Sequence, residues 1–141
     1  LDEIYQSMWR KLKHFFLSCR TYNDLSPDLG VRRRVNRSLS ARPELTVDEW
    51  FDDHWRSRGI SRELADFVYV YFTQYSGLEF SRVMPDDRLD ADLCFSLVCW
   101  FNWNLSLYSD FWDCFKVDLC DRLDLGDMDT VADLVTFLDR Q

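Results

Sequence analysis

The segment from Thr46 to Gly77 constrains the fold most, because its residues mark both ends of two helices. Thr46 and Glu49 have the spacing of a capping box, in which each side chain accepts a hydrogen bond from a backbone amide of the other residue. A helix of about three turns is therefore predicted to follow Thr46 and to end at Gly59. Ser61 then offers an N-cap for a second helix, which Gly77 ends in the left-handed conformation that glycine favours.

Apolar residues at helical spacing predict further helices on both sides of this pair. Residues 1–20 carry an apolar stripe and form a predicted amphipathic helix. Residues 96–115 fit one long helix or two short ones, with a restart at Ser109-Asp110 as one option. Thr130 is a predicted N-cap for a last helix. No alternation typical of strands stands out, so we predict an all-α fold.

The residues between these helices predict a linker and an ordered loop. Residues 21–43 contain proline, glycine, asparagine and a run of arginines with few apolar residues, which indicates a linker with at most a short helical turn. Residues 78–93 form a predicted ordered loop that is held by four apolar side chains, Leu78, Phe80, Val83 and Leu89. The chain therefore divides into residues 1–45, an amphipathic helix and basic linker, and residues 46–141, an acidic helical domain.

The charge of the chain is distributed unevenly between these two parts. Residues 1–45 hold nine Lys/Arg and five Asp/Glu, a net charge of +4, whereas residues 46–141 hold eight and twenty, a net charge of -12. Binding to nucleic acid requires cationic side chains on the contacting face, so the main domain is not expected to bind it. No apolar run approaches the roughly 20 residues that a membrane-spanning helix needs.

The cysteines favour a reducing environment. The chain has five cysteines, an odd number, and none of them forms a Cys-x-x-Cys pair. A domain of this size does not need disulfides for stability, so reduced thiols and a cytoplasmic location are expected.

Residues that commonly carry catalysis or metal binding do not form recognisable motifs in this chain. His14 and His54 lie in different segments, and neither has a neighbouring ligand motif. The cysteine spacings do not match zinc sites, and the acidic segment 118–129 lacks the glycine and glutamate positions of an EF-hand loop. The four glycines are too far apart to form a phosphate-binding loop. We therefore expect a protein that is not an enzyme and that needs no metal or other cofactor.

Three motifs in the second half of the chain occur in an order that points to a known family. They are Met84-Pro85-Asp86-Asp87-Arg88-Leu89 followed by Asp92-Leu93, then Phe115-Lys116-Val117-Asp118-Leu119, and finally Thr130-Val131-Ala132-Asp133-Leu134-Val135. Together they resemble the acyl carrier protein family and its carrier-like relatives of unknown function, over about residues 62–140. The resemblance implies an acyl-carrier-like helical bundle, which the helix at residues 1–20 would extend.

The same resemblance implies a phosphopantetheine group on a serine at the start of the second helix of the family, within an Asp-Ser-Leu triplet. Aligned without a gap, Ser96 takes the aspartate position and Leu97 the serine position. With a deletion of one residue, Ser96 becomes the serine and Phe95 replaces the aspartate. The following helix also differs, because residues 97–108 contain none of the acidic residues to which the partner enzymes of the family bind.

This stretch instead carries Trp100, Phe101 and Trp103, which cannot all face the core from one helix. An exposed tryptophan is a typical anchor of a protein interface. We therefore predict a non-enzymatic cytoplasmic protein-binding module, adaptor-like or immunity-like, whose partner contacts are Trp100, Trp103, Asp86 and Asp87. The alternative is a true acyl carrier protein with phosphopantetheine on Ser96. Residues 1–20 could also pair two copies of the chain as a homodimer.

Overall fold

The computed structural model describes residues 27–120 and 122–141, and these residues form an all-α structure without β-strands. The predicted amphipathic helix and homodimer contact of residues 1–20 lie outside the described residues. Within the described residues, the six α-helices are α1 (Leu29–Leu39), α2 (Val47–His54), α3 (Arg62–Ser76), α4 (Phe95–Val98), α5 (Trp103–Phe115) and α6 (Val131–Asp139). Short 3-10 helices occur at Arg56–Arg58, Phe80–Arg82 and Leu125–Asp127.

The predicted start of α2 and both predicted boundaries of α3 are confirmed, but the predicted end of α2 at Gly59 is wrong. The capping box is present: Thr46 Oγ1 accepts from the Glu49 amide at 3.3 Å, and Glu49 Oε1 accepts from the Thr46 amide at 3.0 Å. The α-helix ends at His54, and a 3-10 turn continues the chain to Gly59 at a φ of 76°.

Helix α3 begins after Ser61 and ends at Gly77, where φ is 67°. Thr130 caps α6 through a second capping box, in which Asp133 takes the place of the glutamate. The backbone amides of Thr130 and Asp129 donate to the Asp133 carboxylate and lower the pKa of that group.

The linker predicted for residues 21–43 is wrong over residues 29–39, which form helix α1. The Asp28 carboxylate accepts from the Val31 amide at 3.0 Å and caps this helix. Val31, Val35 and Leu39 follow at intervals of four, and all three are buried in the same core as α2 to α6. Three apolar residues at the right spacing are enough to attach a helix that is otherwise rich in arginine.

Helix α3 lies at the centre of the bundle, in contact with α2, α5 and α6, and α1 packs against α4. Trp50, Trp55 and Phe72 are fully buried in this core. The Trp50 indole N–H donates to the Val83 carbonyl at 2.9 Å, which joins α2 to the long loop after α3.

The long loop between α3 and α4 is ordered, as predicted, and Leu78, Phe80, Val83 and Leu89 are all buried. Its most constrained residue is Asp87, which is only 6% exposed and binds two nitrogens of the Arg42 guanidinium at 2.6 and 2.8 Å. The same carboxylate accepts from the Met84 amide at 2.8 Å. The Asp87 backbone carbonyl also accepts from the Val131 amide at 2.9 Å, so this loop holds the first turn of α6.

The region predicted as one or two helices over residues 96–115 forms two, but the break lies earlier than expected. Cys99 is extended, with a φ of -83° and a ψ of 154°, and α5 starts only at Trp103. The restart considered at Ser109-Asp110 is wrong, because α5 continues through these residues to Phe115.

None of the helices within residues 27–120 and 122–141 combines the length and apolar character needed to cross a lipid bilayer.

Replacing Asp87 by alanine should lower the free energy of unfolding by about 2–3 kcal/mol, because the Arg42 guanidinium and the Met84 amide would lose their buried acceptor. The matched control is Asp86→Ala. Asp86 is exposed, and its carboxylate lies 3.6 Å from Arg58 at the surface. Its loss should cost less than about 0.5 kcal/mol. Urea denaturation followed by circular dichroism measures both values, and equal losses would contradict the structural role of Asp87.

Candidate protein-binding surface

Helix α4 and the turn after it carry the candidate site, and one backbone conformation and two hydrogen bonds fix their position. Cys94 precedes the helix in the left-handed region, at a φ of 54°. One Asp90 carboxylate oxygen accepts from the Ser96 amide at 3.0 Å, and the Phe95 amide donates to the Leu89 carbonyl at 2.9 Å. Because Phe95 and Val98 face the core, Ser96 and Leu97 are left on the outer side of α4.

The two tryptophans after α4 point in different directions, as the sequence predicted for a cluster of large aromatics. Trp100 is 42% exposed, whereas Trp103 is only 8% exposed. The Trp103 ring meets the Phe95 ring edge-on, at 5.6 Å between centroids. Trp103 is therefore part of the core, and Trp100 is the tryptophan that a second molecule could reach.

Trp100 borders a cavity of about 250 Å³ whose walls come from distant parts of the chain. Leu125 and Met128 also line it, and Ser96 and Asp90 add polar atoms. Leu97 is 51% exposed and Leu125 is 37% exposed. We call the set of Leu97, Trp100 and Leu125, together with this cavity, the Trp100 surface.

Helix α1 lies directly beside this surface. The Asp28 amide donates to the Leu97 carbonyl at 2.9 Å, and the Arg32 side chain donates from Nε to the Val98 carbonyl at 2.7 Å. These two bonds satisfy carbonyl groups of α4, which is too short to satisfy them itself. The position of Leu97 and Trp100 therefore depends on α1, the helix that the sequence did not predict.

The structure does not bring the predicted acidic contacts, Asp86 and Asp87, to the Trp100 surface. Asp87 is buried against Arg42, so its carboxylate is not accessible to a partner. Asp86 is exposed but is not among the residues that line the cavity. The acidic residue that does line it is Asp90, which the sequence analysis missed together with Leu125 and Met128. These residues come together only through the fold, and no local motif marks them.

Ser96 is exposed at the second residue of α4, beside the cavity. Its amide binds the Asp90 carboxylate, so an acidic group lies close to Ser96 although Phe95 occupies the preceding position. The hydroxyl of Ser96 is thus at a helix start, and a carboxylate is fixed at the same turn.

Two other reactive side chains, those of His54 and Cys99, have shifted pKa values. Burial lowers the pKa of His54, the last residue of α2. Burial raises the pKa of the Cys99 thiol to about 12, which keeps it protonated. Among residues 27–120 and 122–141, no group of three or more His, Cys, Asp or Glu is placed to hold a metal ion.

Comparison with known proteins identified no relative: no family model, no curated protein and no solved structure matches the chain. The resemblance to acyl carrier proteins therefore stays a prediction.

The different burial of the two tryptophans predicts different effects of alanine substitution on stability. Trp103→Ala should lower the free energy of unfolding by about 3–5 kcal/mol, because it leaves a cavity against Phe95 and Phe72. Trp100→Ala should cost less than about 1 kcal/mol, since much of this ring already contacts solvent. Denaturation curves of both variants test the assignment. A loss for Trp100→Ala as large as that for Trp103→Ala would make Trp100 a core residue.

Proposed function

We propose that this protein is a non-enzymatic, cytoplasmic protein-binding module, adaptor-like or immunity-like, that contacts its partner through the Trp100 surface. The observation that carries the proposal is the 42% exposure of Trp100 beside a cavity that the exposed Leu125 also lines, three residues after the exposed Leu97. Exposed apolar side chains that cluster around a cavity are typical of protein interaction sites, and tryptophan is enriched among the residues that dominate binding energy.

The surroundings of Trp100 suit an apolar anchor from a partner protein. The cavity can receive an apolar side chain, which would contact Trp100, Leu125 and Met128. Ser96 and Asp90 at the same cavity offer a hydroxyl and carboxylate oxygens to polar groups of the partner. An apolar centre with polar atoms at its edge is the usual composition of a protein interface.

A cytoplasmic location is part of this proposal, and it is supported by the state of the cysteines. Cys94, Cys99 and Cys114 are free thiols, and Cys114 is exposed. Exposed free thiols are expected where the environment is reducing.

Site-specific photocrosslinking in the cells that produce the protein tests the proposed surface. A benzophenone side chain at position 97 should give one discrete adduct with the partner protein. Adding Trp100→Ala to the same chain should decrease the amount of this adduct at least about fivefold, because a central aromatic anchor dominates such contacts. The matched control places the same group at Val70, an exposed apolar residue on α3. Equal labelling from positions 97 and 70 would overturn the proposal.

A second candidate function is an acyl carrier protein that holds phosphopantetheine on Ser96. The observation that favours it is the exposed Ser96 at the start of α4, with the Asp90 carboxylate bound to its amide. Under this alternative, the Asp90 carboxylate would take the role of the aspartate that precedes the serine in the family, since Phe95 occupies that position here.

Co-expression with a phosphopantetheinyl transferase, followed by intact mass measurement, decides between the two candidates. A protein-binding module should keep an unchanged mass. A carrier should gain the mass of one phosphopantetheine group, and Ser96→Ala should abolish the gain. A gain that depends on Ser96 would replace the proposed function by the carrier function.

A further inference from the structure

The exposed side of α1 carries a basic stripe that has no ionic partner among the described residues. Leu29, Arg33 and Arg37 follow at intervals of four residues and are all exposed, and they lie away from the buried residues of the same helix. Among the described residues, no carboxylate lies within ion-pair distance of Arg33 or Arg37. In contrast, every arginine from residue 42 to residue 88 is ion-paired: Arg42, Arg56, Arg58, Arg62, Arg82 and Arg88.

The opposite side of the Trp100 surface is acidic. Leu125 stands in the 3-10 turn Leu125–Asp127, and both Asp124 and Asp127 are exposed. One oxygen of Asp124 accepts from the Gly126 amide at 2.9 Å, which stabilises the turn. Neither carboxylate has an ion-pair partner within the described ranges. The exposed Arg122 lies just before this turn and is not part of it. The negative charge comes from Asp124 and Asp127.

The order of these elements across the surface follows from contacts already given. Helix α1 binds the carbonyl groups of Leu97 and Val98, which places the basic stripe on one side of α4. Leu125 and Met128 line the cavity and no residue of α1 does, so the acidic turn lies on the other side of α4. The sequence of features is therefore basic, apolar, acidic.

A surface with this order is complementary to itself. A two-fold axis through its apolar centre brings the basic end of one molecule onto the acidic end of the other, and does so twice. It also brings apolar centre onto apolar centre. We infer that a second copy of this chain binds the Trp100 surface, with Arg33 and Arg37 of each copy against Asp124 and Asp127 of the other.

This inference rests on the proposed function, since it names the partner of the same surface. Opposite charges on the two sides determine the orientation and favour this pairing over random hydrophobic contact. Screening by salt weakens exposed ion pairs, so the dimer should be more stable at low ionic strength.

Sedimentation equilibrium of the full chain over a range of concentrations tests the pairing. The wild-type chain of 17.0 kDa should show a dimer whose dissociation constant rises with salt. Trp100→Ala should weaken the dimer at least about tenfold, as is typical of a central aromatic anchor. Val70→Ala is the matched control at another exposed apolar residue and should leave the dimer unchanged.

Charge reversal gives a sharper test, because two variants that cannot dimerise alone should dimerise with each other. Arg33→Glu with Arg37→Glu should prevent pairing, and so should Asp124→Asn with Asp127→Lys. The asparagine keeps a side-chain oxygen for the Gly126 amide, so the turn is preserved. Mixed in equal amounts, the two variants should form a heterodimer, because each of its two charged contacts then joins opposite signs. Circular dichroism confirms that both variants are folded.

The outcomes separate this inference from the proposed function. A wild-type chain that stays monomeric overturns self-pairing, and a crosslink from position 97 to a different protein would then still support the binding function. A dimer that survives both Trp100→Ala and the charge reversals uses another surface, such as residues 1–20, and also overturns the inference. Failure of the mixed variants to associate, while the wild type dimerises, does the same.

Discussion

The ion pair between Arg42 and Asp87 is the interaction on which the arrangement of the other elements depends. It joins the connection between α1 and α2 to the long loop before α4, and the Asp87 backbone holds the start of α6. A buried carboxylate costs free energy unless its oxygens are satisfied, and here Arg42 and the Met84 amide supply three hydrogen bonds. The pair therefore specifies how three separate segments meet, and one of them leads directly into the candidate site.

The candidate site follows from the shortness of α4. The left-handed Cys94 and the extended Cys99 limit this helix to four residues, and its ends are completed by Asp90 and by α1. A longer helix would change the directions of Trp100 and Trp103 relative to the core. In the observed arrangement Trp103 stabilises the interior, and Trp100 stays available for binding.

The starts of three helices could be predicted from the sequence, because capping depends on residues within one turn. Thr46, Ser61 and Thr130 all cap helices as their side chains indicated. Helix α1 could not be predicted in the same way. Only three of its residues are buried, and its arginines gave it the composition of a linker. The break before α5 has no glycine or proline to mark it, and α1 binds the Val98 carbonyl just before it.

The sequence by itself determined the all-α fold, the starts of α2, α3 and α6, the end of α3, and the need for one aromatic side chain near Trp100 to face outward. These properties depend on local hydrogen bonds and on helical periodicity. Only the tertiary structure decided that Trp100 is this residue, that Asp87 is buried, and that Asp90 and Leu125 share a cavity with Ser96. Side chains up to 39 residues apart in the chain meet there. Such neighbours depend on the packing of the whole core, which local patterns do not encode.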